Sequence, residues 1–118
     1  MKIFDIKERT SNFAIRIIKL TKKFPKDIAS RELAKQLIRS GTSIGANVEE
    51  ADGAPTRKDF FYKISIAKKE AKETKYWLNI IIKAEILYNP SNKKEAEELF
   101  NEAHELSNIL SSIYKKKS

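Results

Sequence analysis

Leu37-Ile38-Arg39-Ser40-Gly41-Thr42-Ser43-Ile44-Gly45-Ala46-Asn47-Val48-Glu49-Glu50-Ala51 is the stretch on which the fold of this chain turns. Two readings compete. Ser40-Gly41-Thr42-Ser43 can break the segment in two, or both glycines can lie inside one long helix. Glycine within a helix costs about 1 kcal/mol relative to alanine. Against that cost stands a rhythm: Leu33, Leu37, Gly41, Ile44, Val48 and Ala51 recur at helical steps on both sides of the glycines. Unbroken periodicity favours one helix. Gly41 and Gly45 then become candidates for a close helix contact, because small residues four apart let two backbones approach. Asp27 or Ser30 opens the helix, and Gly53 with Pro55 ends it.

The same rhythm continues outward. Upstream, Phe13, Ile17, Leu20 and Phe24 make one stripe. Thr10 or Ser11 is a candidate cap for that helix, which can also begin earlier, and Pro25 ends the run by disfavouring helical geometry at Phe24. Downstream, Thr56 and Asp59 read as a capping box. Phe60, Ile64, Ala67, Ala71, Thr74, Leu78 and Ile81 then run along one face of a helix expected to reach about residue 87. Asn89-Pro90 stops it, and Ser91 caps a last segment with Ala96, Leu99, Ala103, Leu106, Leu110 and Ile113 in phase. No strand alternation competes. The expectation is all-α: a single domain, residues 1–118, folded as an antiparallel up-down four-helix bundle.

Composition agrees. Only three glycines and three prolines occur in 118 residues, too few for the turns of an all-β fold. There is no cysteine, which removes disulfides, thiolate metal sites and cysteine nucleophiles and fits a reducing cytoplasm. The N-terminal Met1-Lys2-Ile3-Phe4-Asp5 does not read as a signal peptide. Apolar runs such as Ile80-Ile81-Ile82 fall far short of the ~20 residues of a membrane helix. Net charge is +8, unevenly spread. Residues 1–26 hold eight lysines and arginines against Asp5 and Glu8, and residues 56–86 hold eight against Asp59, Glu70, Glu73 and Glu85. An uneven positive field attracts polyanions, although lysine-rich helices are also simply soluble.

Chemistry is scarce. Metal-binding bundles use Glu-x-x-His pairs. Here the one histidine, His104, has Asn101 where the glutamate belongs and reads as an exposed helix residue. Glu49, Glu50, Asp52, Asp59, Glu70 and Glu73 read as a solvated face paired with lysines. Ser43 has no nucleophile elbow, and Gly41 to Gly45 is no phosphate loop. No catalytic residue, metal site or cofactor is expected, and the chain does not read as an enzyme. Basic stripes remain. Lys68, Lys72 and Lys75 share a helix face, Arg57 and Lys58 sit at its N-terminal end, and Arg16, Lys19 and Lys23 follow helical spacing on the first helix beside Arg9. These are candidate phosphate contacts; the alternative is an ordinary solvated surface. Ile15, Ile18, Ile38, Ile66, Tyr76 and Ile80 lie off the main stripes. They imply either a wide core or a partner-facing apolar surface.

Three stretches carry a family resemblance: Leu37 to Ala51, Asp59-Phe60-Phe61-Tyr62-Lys63-Ile64, and Glu73-Thr74-Lys75-Tyr76-Trp77-Leu78. Over roughly residues 10 to 113 the chain resembles the bacterial four-helix-bundle family named for the protein encoded in intervening sequences of 23S ribosomal RNA genes. Val48 departs from the aromatic or isoleucine expected near that point. The resemblance implies a left-handed bundle assembled into a ring-shaped homopentamer. The family is similar to the accessory variability protein of diversity-generating retroelements, to which binding of nucleic acid and a reverse transcriptase through a basic surface is attributed. It carries no known catalytic residues. The expected function is therefore a non-enzymatic, basic, self-associating scaffold that binds RNA or DNA, ribosomal RNA among the candidates, mainly through phosphates. The alternative is a protein–protein adaptor whose positive charge is incidental.

Overall fold

Gly41 and Gly45 lie inside a single helix. In the computed structural model, which describes residues 3–117, the chain forms α1 (Ile3–Thr21), α2 (Ile28–Asp52), α3 (Arg57–Lys83) and α4 (Pro90–Lys115). The Asp27 carboxylate caps α2, accepting from the Ser30 N–H at 2.8 Å and the Ser30 hydroxyl at 3.0 Å. A β-carbon on Gly41 would lie 3.1 Å from Ile17 Cγ1, and one on Gly45 would lie 3.2 Å from Thr10 Oγ1. The glycines thus let α1 and α2 pack closely.

Thr10 is not a cap. It sits in the middle of α1, fully buried, and its hydroxyl donates to the Ile6 carbonyl at 2.8 Å. That back-bond satisfies the hydroxyl within the helix, so threonine can occupy a core position. The buried stripe of α1 is Ile6, Thr10, Phe13, Ile17 and Leu20. The helix ends at Thr21, and Phe24 reaches the core from the turn that follows.

The Thr56 side chain caps α3, accepting from the Asp59 N–H at 3.1 Å. This helix stops at Lys83, about four residues before the expected end. Glu85 then takes a left-handed φ of 55°, which turns the chain and returns Leu87 to the core. The cap of α4 is Asn89, not Ser91: its side-chain oxygen accepts from the Ser91 N–H at 2.8 Å. Pro90 takes the first helical turn, where its missing N–H costs nothing.

The four stripes meet in one core that includes Phe13, Ile17, Leu37, Ile44, Ile64, Leu78, Leu99, Leu106 and Leu110. Contacts fix the directions. Lys7 meets Asp52, Lys63 meets Glu50, Arg57 meets the Lys116 carbonyl, and Glu95 meets Arg16. Each pair joins the early part of one helix to the late part of its neighbour, so adjacent helices run antiparallel and α1 closes on α4. The body measures 45 × 21 × 20 Å. No helix among the described residues is long and apolar enough to cross a membrane.

Candidate nucleic-acid interface

Four grooves run between neighbouring helices, and three of them are charge-compensated. Between α1 and α2, Lys7 Nζ lies 2.8 Å from Asp52 and 3.5 Å from Glu49. The hydrogen bond to Asp52 holds the Lys7 pKa above its ordinary value. Between α1 and α4 runs an arginine–glutamate zipper. Arg9 binds both oxygens of Glu102, at 2.7 and 2.8 Å, and reaches Glu105 at 2.9 Å. Arg16 binds both oxygens of Glu95, at 3.0 and 2.9 Å. These forked contacts raise both guanidinium pKa values, Glu102 acting chiefly on Arg9 and Glu95 on Arg16. Between α2 and α3, Arg39 bridges Glu70 (3.1 Å) and Glu73, while Lys63 meets Glu50 at 2.7 Å. Glu73 also accepts from Trp77 Nε1 at 3.0 Å.

The groove between α3 and α4 is different. From α3 it receives Lys68, Lys72 and Lys75; from α4 it receives Phe100, His104, Ser107 and Tyr114. No carboxylate among the described residues pairs with any of the three lysines. Lys75 Nζ instead lies 2.8 Å from His104 Nδ1. An ammonium can only donate, so the imidazole nitrogen is the acceptor in this contact. Lys68 Nζ lies 5.9 Å from the Tyr114 ring and Lys75 Nζ 5.7 Å from the Phe100 ring. These aromatic faces order the lysine stems without neutralising their charge. At the end of the groove Arg57 donates to the Lys116 carbonyl at 2.7 Å and covers Phe61. Its charge therefore also faces the C-terminus of α4, where a cation is favourable.

The eight cationic candidates do not form one surface. Lys68, Lys72 and Lys75 come together, with Arg57 at the groove's end and exposed Lys58 beside it in sequence. Arg16 lies apart from them, its guanidinium held by both oxygens of Glu95 across the α1/α4 groove. Lys19 and Lys23 are exposed, but at the C-terminal end of α1 and the turn beyond it, away from this groove. His104 and Tyr114 belong to the site although sequence reading passed over them. The available signal was the row Phe100, His104, Ser107 and Tyr114, a helical face that carries no acid after Glu97. Among the described residues no cluster of three histidine, aspartate or glutamate side chains is placed to hold a metal.

An apolar surface occupies the other side of the bundle. Thr10, Ser11, Ala14, Thr42, Gly45 and Ala46 line a shallow groove between α1 and α2, closed at one end by Lys7 and Glu49. Ile18 follows Ala14 by one helical turn and Ile38 precedes Thr42 by one, both more than a third exposed, as are Ile15 and Phe4. Of the other off-stripe positions, Ile66 and Ile80 are half-buried, whereas Tyr76 is exposed.

Comparison with known proteins follows the fold. A family model described as 23S rRNA-intervening sequence protein matches residues 2–112. Among solved structures, the chain is similar to a protein of unknown function from Bacteroides thetaiotaomicron, described as of the S23 ribosomal protein family. The two are 40% identical, with 98% of this chain and 99% of that chain covered and a TM-score of 0.85. No curated protein gives a significant match.

Proposed function

The chain belongs to the family of 23S rRNA-intervening sequence proteins, and from that premise we propose a cytoplasmic, non-enzymatic, self-associating scaffold that binds nucleic acid along the α3/α4 groove. The observation that carries this reading is the contrast between grooves. Elsewhere the inter-helix cations have carboxylate partners, whereas Lys68, Lys72 and Lys75 have none. Like charges held three and four residues apart repel one another, and an anionic backbone laid along the groove relieves that repulsion. Binding is therefore phosphate-driven, salt-sensitive and weakly dependent on sequence.

Self-association draws on the apolar surface of α1 and α2, where Phe4 is 67% and Ile15 48% exposed. Large exposed aliphatic side chains grouped on one side mark an interface. Five copies is the number that the family resemblance implies. The same surface also favours a second reading, an adaptor for a different protein. A monomeric mass in solution would select that one.

The test is charge reversal in two places. Lys68→Glu/Lys72→Glu/Lys75→Glu is compared with Lys19→Glu/Lys22→Glu/Lys23→Glu, which changes net charge equally. The groove variant is expected to lose affinity for ribosomal RNA by at least about two orders of magnitude, while the control loses far less. Equal losses would mean that overall charge, not the groove, binds.

A further inference from the structure

The outward face of α3 carries a second pattern. Tyr62, Lys69, Tyr76 and Lys83 follow one another at seven-residue intervals. Seven residues are close to two helical turns, a rise of about 10.5 Å, so the four side chains form one row along the surface. Both rings are open to solvent, Tyr62 at 61% and Tyr76 at 56%. Isolated exposed aromatics need no explanation; two of them interleaved with lysines in one row do.

The charges along this row that lack an ion-pair partner are cationic, while the carboxylates of Glu50 and Asp59 lie beside Tyr62 at its N-terminal end. Lys69, Lys72 and Lys83 are exposed and have no ion-pair partner among the described residues. The three carboxylates of α3 are engaged elsewhere: Asp59 with the Thr56 cap, and Glu70 and Glu73 with Arg39 of α2. Tyr76 is also held in place. Its ring meets Trp77 edge-on with centroids 5.1 Å apart, and Trp77 is anchored to Glu73. An aromatic already ordered before binding loses little entropy on contact.

Resting on the nucleic-acid reading above, we propose that this face selects single-stranded over double-stranded nucleic acid. Unpaired bases stack on Tyr76 and Tyr62, while Lys69, Lys72 and Lys83 hold the intervening phosphates. Stacking on an exposed ring requires a free base face. A duplex buries those faces between its own base pairs and offers only its phosphates to the lysines.

The experiment measures anisotropy of a labelled, mixed-sequence 20-nucleotide strand, alone and annealed to its complement. Wild type is compared with Tyr62→Ala/Tyr76→Ala and with Tyr62→Phe/Tyr76→Phe. Wild type is expected to bind the single strand more tightly than the duplex. The alanine variant should lose on the order of tenfold or more for the single strand and nothing for the duplex, and the phenylalanine variant should restore the preference. Equal wild-type affinity for both forms, or unchanged single-strand affinity in the alanine variant, would overturn the selection while leaving duplex binding through the lysines intact. Absence of binding to either form would overturn both this inference and the reading beneath it.

Discussion

Gly45 shows how much one residue decides. A side chain there would press on Thr10, whose hydroxyl is already bound to the Ile6 carbonyl and whose backbone cannot yield without moving α1. Gly45→Leu should therefore lower stability by about 1–3 kcal/mol, despite the better helix propensity of leucine. Urea denaturation measures it, and wild-type stability would mean that α1 does not pack closely here. This contact was legible in sequence as spacing, but its partner was not. Thr10 read as a cap because threonine favours caps. Burial reverses that reading, since a hydroxyl that bonds back to its own helix can enter a core. Arg16 and Lys75 look alike in sequence, each a cation on a basic stripe. They differ only in what lies across the groove, Glu95 in one case and His104 in the other. Periodicity gives a helix its faces and does not say which neighbour each face meets.

At the scale of the element, the apolar stripes and the caps of α2 and α3 were the most legible features. The Asp27 cap on α2 makes a prediction that can be read by pH. The Ser30 N–H and hydroxyl hold the Asp27 carboxylate below its ordinary pKa. A depressed carboxylate stabilises the fold above its unfolded pKa and loses that contribution as pH falls through the folded value. Asp27→Ala should thus be less stable than wild type at neutral pH, and the difference should close in acid below the ordinary aspartate range. A difference that persists there would show that the cap does not act through its charge. The ends of α3 and α4 were less legible. Ile86 and Leu87 continue the apolar rhythm, so the pattern extends α3 to about residue 87. Glu85 instead turns the chain, and Leu87 reaches the core from a loop. A buried loop residue and a buried helix residue leave the same mark in a sequence. Glu95, Glu98, Glu102 and Glu105 likewise form a visible acidic row on α4. Only the closed bundle turns that row toward the arginines of α1, while on the α3 side of α4 Glu97 lies near the start of the helix, beside Ile81 and Ile82, and not among Lys68, Lys72 and Lys75.

At the scale of the molecule, charge and apolar surface lie on opposite sides. The α1/α2 side presents Ile15, Ile18 and Ile38, and the α3/α4 side presents uncompensated lysines. A protomer built this way can associate through one side and keep the other open to a polyanion. Sequence alone gave the +8 charge and its two basic segments. It could not divide them, because the first segment's arginines are neutralised by α4 while Lys68, Lys72 and Lys75 of α3 have no carboxylate partner among the described residues. The most direct test of the groove is the salt dependence of binding, measured on a 20-nucleotide single strand for wild type and for Lys68→Gln/Lys72→Gln/Lys75→Gln. The logarithm of affinity should fall linearly with the logarithm of salt concentration, and the slope reports the phosphates neutralised, at about 0.7 per contact on a single strand. The account predicts a slope shallower by about 2 in the variant, one step for each lysine removed. An unchanged slope would place the phosphates elsewhere on the protein and contradict the assignment of the α3/α4 groove.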